Sequence, residues 1–310
     1  MNRKILFFIL VIIFSQLLVV GLSFSASINT FTISPSTIDL ADQDPDLYTE
    51  VSSVTILSVT MSISSTKNNE TWNLDIYSGT DLTSGANSVP IGNARWTVTG
   101  TGTPNLPALH NNIFSKGVYV RTADGNLTRN TTENLQLYFT FYLTNLWTYA
   151  TGNYSSVITL RLSATGAPTQ SRTFTLSPTV SARAKLTFGM LALSFPDANP
   201  DTVPSIPANE NPVSVTSSTR TGSSLTATLS CLASGDLISG TSNIPISNMT
   251  WQSTGSGYVS GTMSKTAGQT TGSWAGPGQR TGTLRYFLSN SWSYTIGSYS
   301  TTITYTLTAP

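Results

Sequence analysis

From Leu135 to Leu143 every second residue is apolar: Leu135, Leu137, Phe139, Phe141 and Leu143, with Gln136, Tyr138, Thr140 and Tyr142 between them. Ile158, Leu160 and Leu162 alternate in the same way with Thr159 and Arg161, as do Ile303, Tyr305 and Leu307 with Thr304 and Thr306. A period of two sends successive side chains to opposite faces, so each run predicts a strand with one buried and one wet face. No apolar stripe at helical spacing follows residue 25. Clusters of Gly, Pro and Asn interrupt the chain roughly every 8 to 15 residues, the rhythm of short strands joined by turns. The pattern predicts an all-β protein of antiparallel sandwiches, Ig-like or jelly-roll-like.

The pattern also repeats. Asp81-Leu82-Thr83-Ser84-Gly85, Val89-Pro90-Ile91 and Trp96 recur 155 residues later as Asp236-Leu237-Ile238-Ser239-Gly240, Ile244-Pro245-Ile246 and Trp251. The same offset carries Leu74 and Ile76 onto Leu229 and Cys231, and Asp42, Asp44 and Asp46 onto Asp197, Asn199 and Asp201. Farther along, Trp147, Tyr149, Gly152 and Tyr154 match Trp292, Tyr294, Gly297 and Tyr299 at an offset of 145. The first copy therefore holds ten extra residues between Trp96 and Trp147, expected in the polar stretch around Asn105 to Thr132. Two tandem sandwiches follow, at 26–164 and 183–310, with 165–182 as a linker containing a short strand near Thr173 to Leu176.

Ahead of them, Arg3 and Lys4 precede an apolar run from Ile5 to Leu22, and the small residues Ser23, Ser25 and Ala26 come next. This order predicts a signal peptide over 1–25, cleaved after Ser25. The 18-residue run also has the length of a membrane span, so an uncleaved anchor is the alternative, and the only route to a membrane. Without Arg3 and Lys4, the fifteen Lys and Arg fall to 13, against 14 Asp and Glu. With no basic tract to follow a phosphate backbone, nucleic-acid binding loses its electrostatic support. A single cysteine, Cys231, allows no internal disulfide and stands where the first copy has Ile76, which predicts a core position.

Candidate chemistry is sparse. The single histidine, His110, sits in a polar loop with no repeat partner and no nucleophile in view, so it reads as a solvated residue. Asp81 and Asp236 are the same residue of two copies, which suits a structural role better than the paired carboxylates of a glycosidase. The acidic loops, Asp42, Asp44 and Asp46 with Asp197, Asn199 and Asp201, offer alternate oxygens suited to Ca²⁺. Counted from Asp42, Leu47 and Ser53 stand where an EF-hand needs Gly and Glu, so the competing reading is a local side-chain turn. Among the aromatics, Trp96, Trp251, Tyr154 and Tyr299 border strands and are expected in the core. Trp72, Trp147, Tyr149, Trp292 and Tyr294 are the candidates for contact with a glycan or wall polymer.

Two stretches carry a resemblance. Trp72-Asn73-Leu74 opens a strand, and the chain closes on Gly297-Ser298-Tyr299-Ser300-Thr301-Thr302-Ile303-Thr304-Tyr305-Thr306-Leu307-Thr308-Ala309-Pro310. That close resembles WxL-type domains of Gram-positive surfaces, with Tyr305 in place of the second Trp. The Gly-x-Tyr-Ser-x-x-Ile-Thr segment is similar to spore-coat and pilus-subunit sandwich domains. The resemblance implies an exported surface sandwich and, in the WxL case, non-covalent attachment to cell-wall polymer; it brings no catalytic residues. The expected function is thus a non-catalytic structural or adhesive surface protein, partnered by cell wall, glycan or other subunits. The rival is a secreted carbohydrate-binding protein with Ca²⁺ in the acidic loops.

Overall fold

The alternation read from the sequence becomes burial. Leu135, Leu137, Phe139, Phe141 and Leu143 are all buried in one long strand, while Tyr138 faces out. The computed structural model describes residues 25–310. The predicted export segment, but for Ser25, lies outside the described residues.

The first half of the chain supplies β1 (Ala26–Ser34), β2 (Thr37–Leu40), β3 (Glu50–Ser52), β4 (Leu57–Ser65) and β5 (Glu70–Ser78). A hairpin of β6 (Leu82–Ser84) and β7 (Asn87–Val89) leads to β8 (Ala94–Thr103), β9 (Ala108–Leu109) and β10 (Asn112–Ile113). Then come β11 (Val120–Leu127), β12 (Thr131–Thr144), β13 (Gly152–Asn153), β14 (Ser156–Ala164) and β15 (Gln170–Val180). One sheet runs β1-β4-β12-β8-β10 and faces another that runs β13-β15-β14-β5-β11-β9. Apolar residues from both sheets form one core.

The second half supplies β16 (Arg183–Phe188), β17 (Ser205–Pro207), β18 (Val213–Arg220) and β19 (Thr226–Ala233). A second hairpin, β20 (Leu237–Ser239) and β21 (Ser242–Ile244), precedes β22 (Met249–Thr254) and β23 (Gly261–Thr262). β24 (Gln269–Ala275), β25 (Gly278–Ser289) and β26 (Ile303–Thr308) complete the set. Here β16-β18-β25-β22-β23 faces a sheet of only three strands, β24-β19-β26. They enclose a separate core.

The repeat is geometric as well as textual. The Asp81 carboxylate accepts the Ile91 N–H at 3.1 Å, and Asp236 accepts that of Ile246 at 3.0 Å. Each also takes a lysine, Lys116 at 2.7 Å and Lys265 at 2.6 Å. These aspartates hold the Pro-Ile turn of each copy in place, the structural role expected of them. Gly85 and Gly240 close the two hairpins at φ +57° and +59°, which an L side chain adopts only with strain. Cys231 is buried beside the sulfur of Met263, in the place of Ile76.

The ten extra residues divide between two sites. The Trp96 indole donates to the carbonyl of His110, 14 residues on, whereas Trp251 donates to Val259, 8 residues on. Six extra residues therefore lie in the loop after β8. The other four lengthen the β11–β12 hairpin, because Trp96 pairs with Phe141 and Trp251 with Tyr286.

One boundary needs correction. Residues 165–182 are not a linker: β15 spans most of them and is a core strand of the first sandwich, with Phe174, Leu176 and Val180 buried. Only Ser181 and Ala182 separate β15 from β16.

Candidate functional site

In the first sandwich β15 lies between two partners. It pairs antiparallel with β14, from Ser156↔Leu176 to Leu162↔Gln170, and parallel with β2, from Thr175↔Thr37 to Pro178↔Leu40. Phe174, Leu176, Pro178 and Val180, every second residue, point inward. They seal Ile158, Leu160 and Leu162 of β14 and Ile38 of β2, all 0% exposed.

The second sandwich has the same walls without the strand between them. β26 repeats β14 and pairs with β19 on one side; on its other side no strand lies among the described residues. Ile303, Tyr305 and Leu307 remain half-exposed. Leu193 and Phe195, 155 residues after Ile38 and Leu40, are half-exposed as well and belong to no strand. Phe188 leans on Tyr305 with ring centroids 4.7 Å apart. The Tyr305 and Tyr286 hydroxyls share a hydrogen bond of 2.7 Å beneath it. Burial pushes the Tyr286 hydroxyl up to about 12, and it moves Tyr305 upward too. The result is an apolar groove with one open sheet edge.

Next to the groove's end is a corner that occurs in both copies. In the first, the Trp147 indole donates to Asp46 at 2.9 Å, and the Asn145 amide donates to the carbonyls of Gln43 and Tyr48. In the second, Trp292 donates to Asp201 at 3.0 Å, and Asn290 donates to the carbonyls of Ala198 and Val203. The turns match too: Asp44 caps the N–H of Asp46 and Asn199 caps that of Asp201, both at 2.9 Å.

What covers the two corners differs. Arg220 of β18, 0% exposed, inserts into the first corner and donates to Asp42 at 2.5 Å, to the Leu146 carbonyl at 2.8 and 3.0 Å, and to Asn145. Arg183 donates to the other Asp42 oxygen at 2.8 Å, and Lys185 to Asp46 at 2.5 Å. Lys185 and the Trp147 indole hold the Asp46 carboxyl below its usual range, while burial lowers the Arg220 guanidinium. Trp147 is 8% exposed in this setting; its counterpart Trp292 is 69% exposed, and Ile296 beside it is fully so.

The remaining sequence candidates fall into place around these features. Trp147 and Tyr149 are not surface rings, because the second sandwich and Asn93 close over them. Trp72 is also buried: it lies under Gly125, where an added Cβ would come within 3.0 Å of the indole. Trp292 is exposed and Tyr294 half-exposed. Trp96, Trp251 and Tyr154 are core residues as expected, whereas Tyr299 is half-exposed for want of a covering strand. His110 is solvated and meets Asp124 at 3.1 Å, with no hydroxyl among its partners. In the first acidic loop Asp42 and Asp46 face Arg and Lys, and Asp44 is used by its own turn. Asn199 serves the same turn in the second loop, and no partner holds Asp197 among the described residues. A shallow polar hollow of about 450 Å³ opens above Trp72, lined by Asn73, Asn105, Asp124 and Asn126 with Leu106 on its rim. No sequence signal marks Arg220 or the groove, since both depend on what lies beside them.

No protein-family model matches the chain, and no curated protein matches it by sequence. Among solved structures it is similar to the chaperone–tip adhesion subunit complex of archaic chaperone-usher Csu pili from Acinetobacter baumannii, at 13% identity and TM-score 0.35, over 89% of this chain and 99% of that one. The CupB6 tip adhesin of Pseudomonas aeruginosa matches at 8% identity and TM-score 0.35, over 92% and 95% of the two chains. The CooA pilin subunit of enterotoxigenic Escherichia coli matches at 10% identity and TM-score 0.26, over 51% of this chain and 99% of its own. At these identities and scores no residue role passes from those proteins to this chain.

Proposed function

We propose that this chain is a non-catalytic subunit of an assembly outside the cytoplasm, and that a strand from another subunit completes its second sandwich. The observation that carries the reading is the contrast between β14, covered by β15, and β26, uncovered at the same edge. An open edge above half-exposed Ile, Leu, Tyr and Phe is the physical setting for strand addition. Main-chain hydrogen bonds would supply affinity, and every second side chain would fill the groove. The incoming strand would run antiparallel to β26 and place apolar residues as Phe174, Leu176, Pro178 and Val180 are placed in β15. Because β15 leads straight into β16, the missing strand corresponds to the leading strand of a following module.

The test adds a synthetic peptide copying Gln170–Val180 to the exported chain, residues 26–310. Binding should raise the melting temperature with peptide concentration and slow amide exchange along β26. A peptide with its apolar residues moved by one position should do neither, since a one-residue slip turns every side chain to the wrong face. No shift and unchanged exchange with the native peptide in excess would sink the reading.

A second reading concerns the first sandwich. The amide- and carboxylate-lined hollow above Trp72 suits a neutral sugar, whose hydroxyls need several donors and acceptors and whose ring face could rest on Leu106. Glycan or wall-polymer binding lost on Asp124→Ala and Asn126→Ala, with β26 exchange unchanged, would support adhesion through this face. Equal binding by the variants would remove it.

A further inference from the structure

The second sandwich carries a copy of the corner that Arg220, Arg183 and Lys185 fill in the first. Its frame is already set: Asn290 is anchored through its amide as Asn145 is, Trp292 is fixed to Asp201 as Trp147 is to Asp46, and the Asx turn is the same. What the first corner offers a guanidinium, the second offers too. Asp197 stands for Asp42, Asn290 Oδ1 for Asn145 Oδ1, and the Ser291 carbonyl for that of Leu146. Among the described residues neither the Asp197 carboxylate nor Asn290 Oδ1 accepts a hydrogen bond, and Asp201 meets only Trp292 and its own turn. Asp197 and Asp201 are exposed, and the Trp292 indole held by Asp201 is 69% exposed.

We propose that the Asp197–Asp201–Asn290–Trp292 corner is a docking surface for the cationic first strand of a following sandwich on another chain. This rests on the strand-acceptor reading, because the geometry of the first copy links the two events. There, β15 fills the groove, and after Ser181 and Ala182 the chain places Arg183 on Asp42 and Lys185 on Asp46. A strand seated against β26 in the same direction would end beside Gly297, the counterpart of Gly152, which pairs with Val180. The next few residues would then pass over Asp197 and Asp201. The chemistry selects Arg and Lys there, with a guanidinium preferred at Asp197, the counterpart of Asp42, where Arg220 meets a carboxylate, an amide oxygen and a carbonyl in the first copy. A further arginine from the partner's body would enter as Arg220 does.

Two peptides separate this proposal from the reading beneath it. Gln170–Val180 carries the strand alone, and Gln170–Lys185 adds Arg183 and Lys185. Both are titrated calorimetrically into the exported chain and its Asp197→Asn variant. The longer peptide should bind about fivefold more tightly at low salt, an advantage that falls as salt screens exposed pairs. Asp197→Asn should erase most of that gain and leave the affinity of the shorter peptide unchanged. Equal affinities for the two peptides would overturn the docking surface while leaving strand addition standing. If neither peptide binds, the groove does not accept this strand, and both proposals fall together.

Discussion

Ile158, Leu160 and Leu162 are sealed, whereas Ile303, Tyr305 and Leu307, on the strand that repeats theirs, stay half-exposed. Trp147 is enclosed and Trp292 faces water, although each donates the same hydrogen bond to the same kind of loop. In both pairs the local structure is alike and the difference comes from what lies against it. One added strand and one following sandwich turn an open edge and an open corner into interior. Each fully buried Ile or Leu is worth about 1.5–3 kcal/mol over exposure, so an open groove leaves several such contributions unrealised.

The sharpest way to break the contrast is to spoil the seal. Phe174→Ala should cost the first sandwich about 3–5 kcal/mol, as large-to-small changes in a closed core do. Leu193→Ala, facing the open groove, should cost the second about 1 kcal/mol. Urea unfolding followed by amide exchange in each sandwich reads both, and equal costs would mean the groove is closed in solution. Next comes the corner. Asp42→Ala strands the buried Arg220 and should cost about 3 kcal/mol, whereas Asp197→Ala should stay within about 0.5 kcal/mol.

Alkaline titration gives a smaller effect, in which burial of Tyr149 and Tyr154 in the first sandwich and of Tyr286 in the second acts in the same direction. The Tyr286 hydroxyl, pushed up to about 12 by burial, holds its proton when folded after the unfolded chain has lost it. Its stabilisation is complete below about pH 10 and is lost as pH rises toward 12, up to about 2–3 kcal/mol. Replacing Tyr286 by Phe and Tyr305 by Leu, as in Phe141 and Leu160 of the first copy, should flatten that slope. A slope left unchanged by the two substitutions would place its origin in the other buried tyrosines, Tyr149, Tyr154 and Tyr258. The smallest expected effect is that of calcium. With Asp42 and Asp46 held by Arg183, Arg220 and Lys185, adding or chelating calcium should move neither melting transition, and a rise in either would restore the acidic loops as ion sites.

The strands, the repeat and the placing of the ten extra residues were legible because period-two alternation and fixed offsets reflect local geometry. β15 was half-legible. Phe174 and Leu176 show the alternation, but the strand has no counterpart in the second copy, and self-comparison passes over an element present once. Trp147 and Trp292 mark a different limit. Their sequence surroundings match, so no local pattern could show that one would be covered. Arg220 is harder still, since arginine in a strand reads as solvated until its acceptors arrive from residues 42–43 and 145–146. What was least visible in the sequence is what depends on contact between modules.

The two-residue passage from β15 to β16 also has a mechanical meaning. A pull on the second sandwich reaches the first at Val180, along the axis of a strand flanked by β14 and β2. Force applied that way loads the hydrogen bonds on both sides together, in shear, instead of opening them one after another from an end. The joint between the sandwiches therefore resists tension as a whole strand would, and a strand seated against β26 in the same direction would pass tension to its own module by the same geometry.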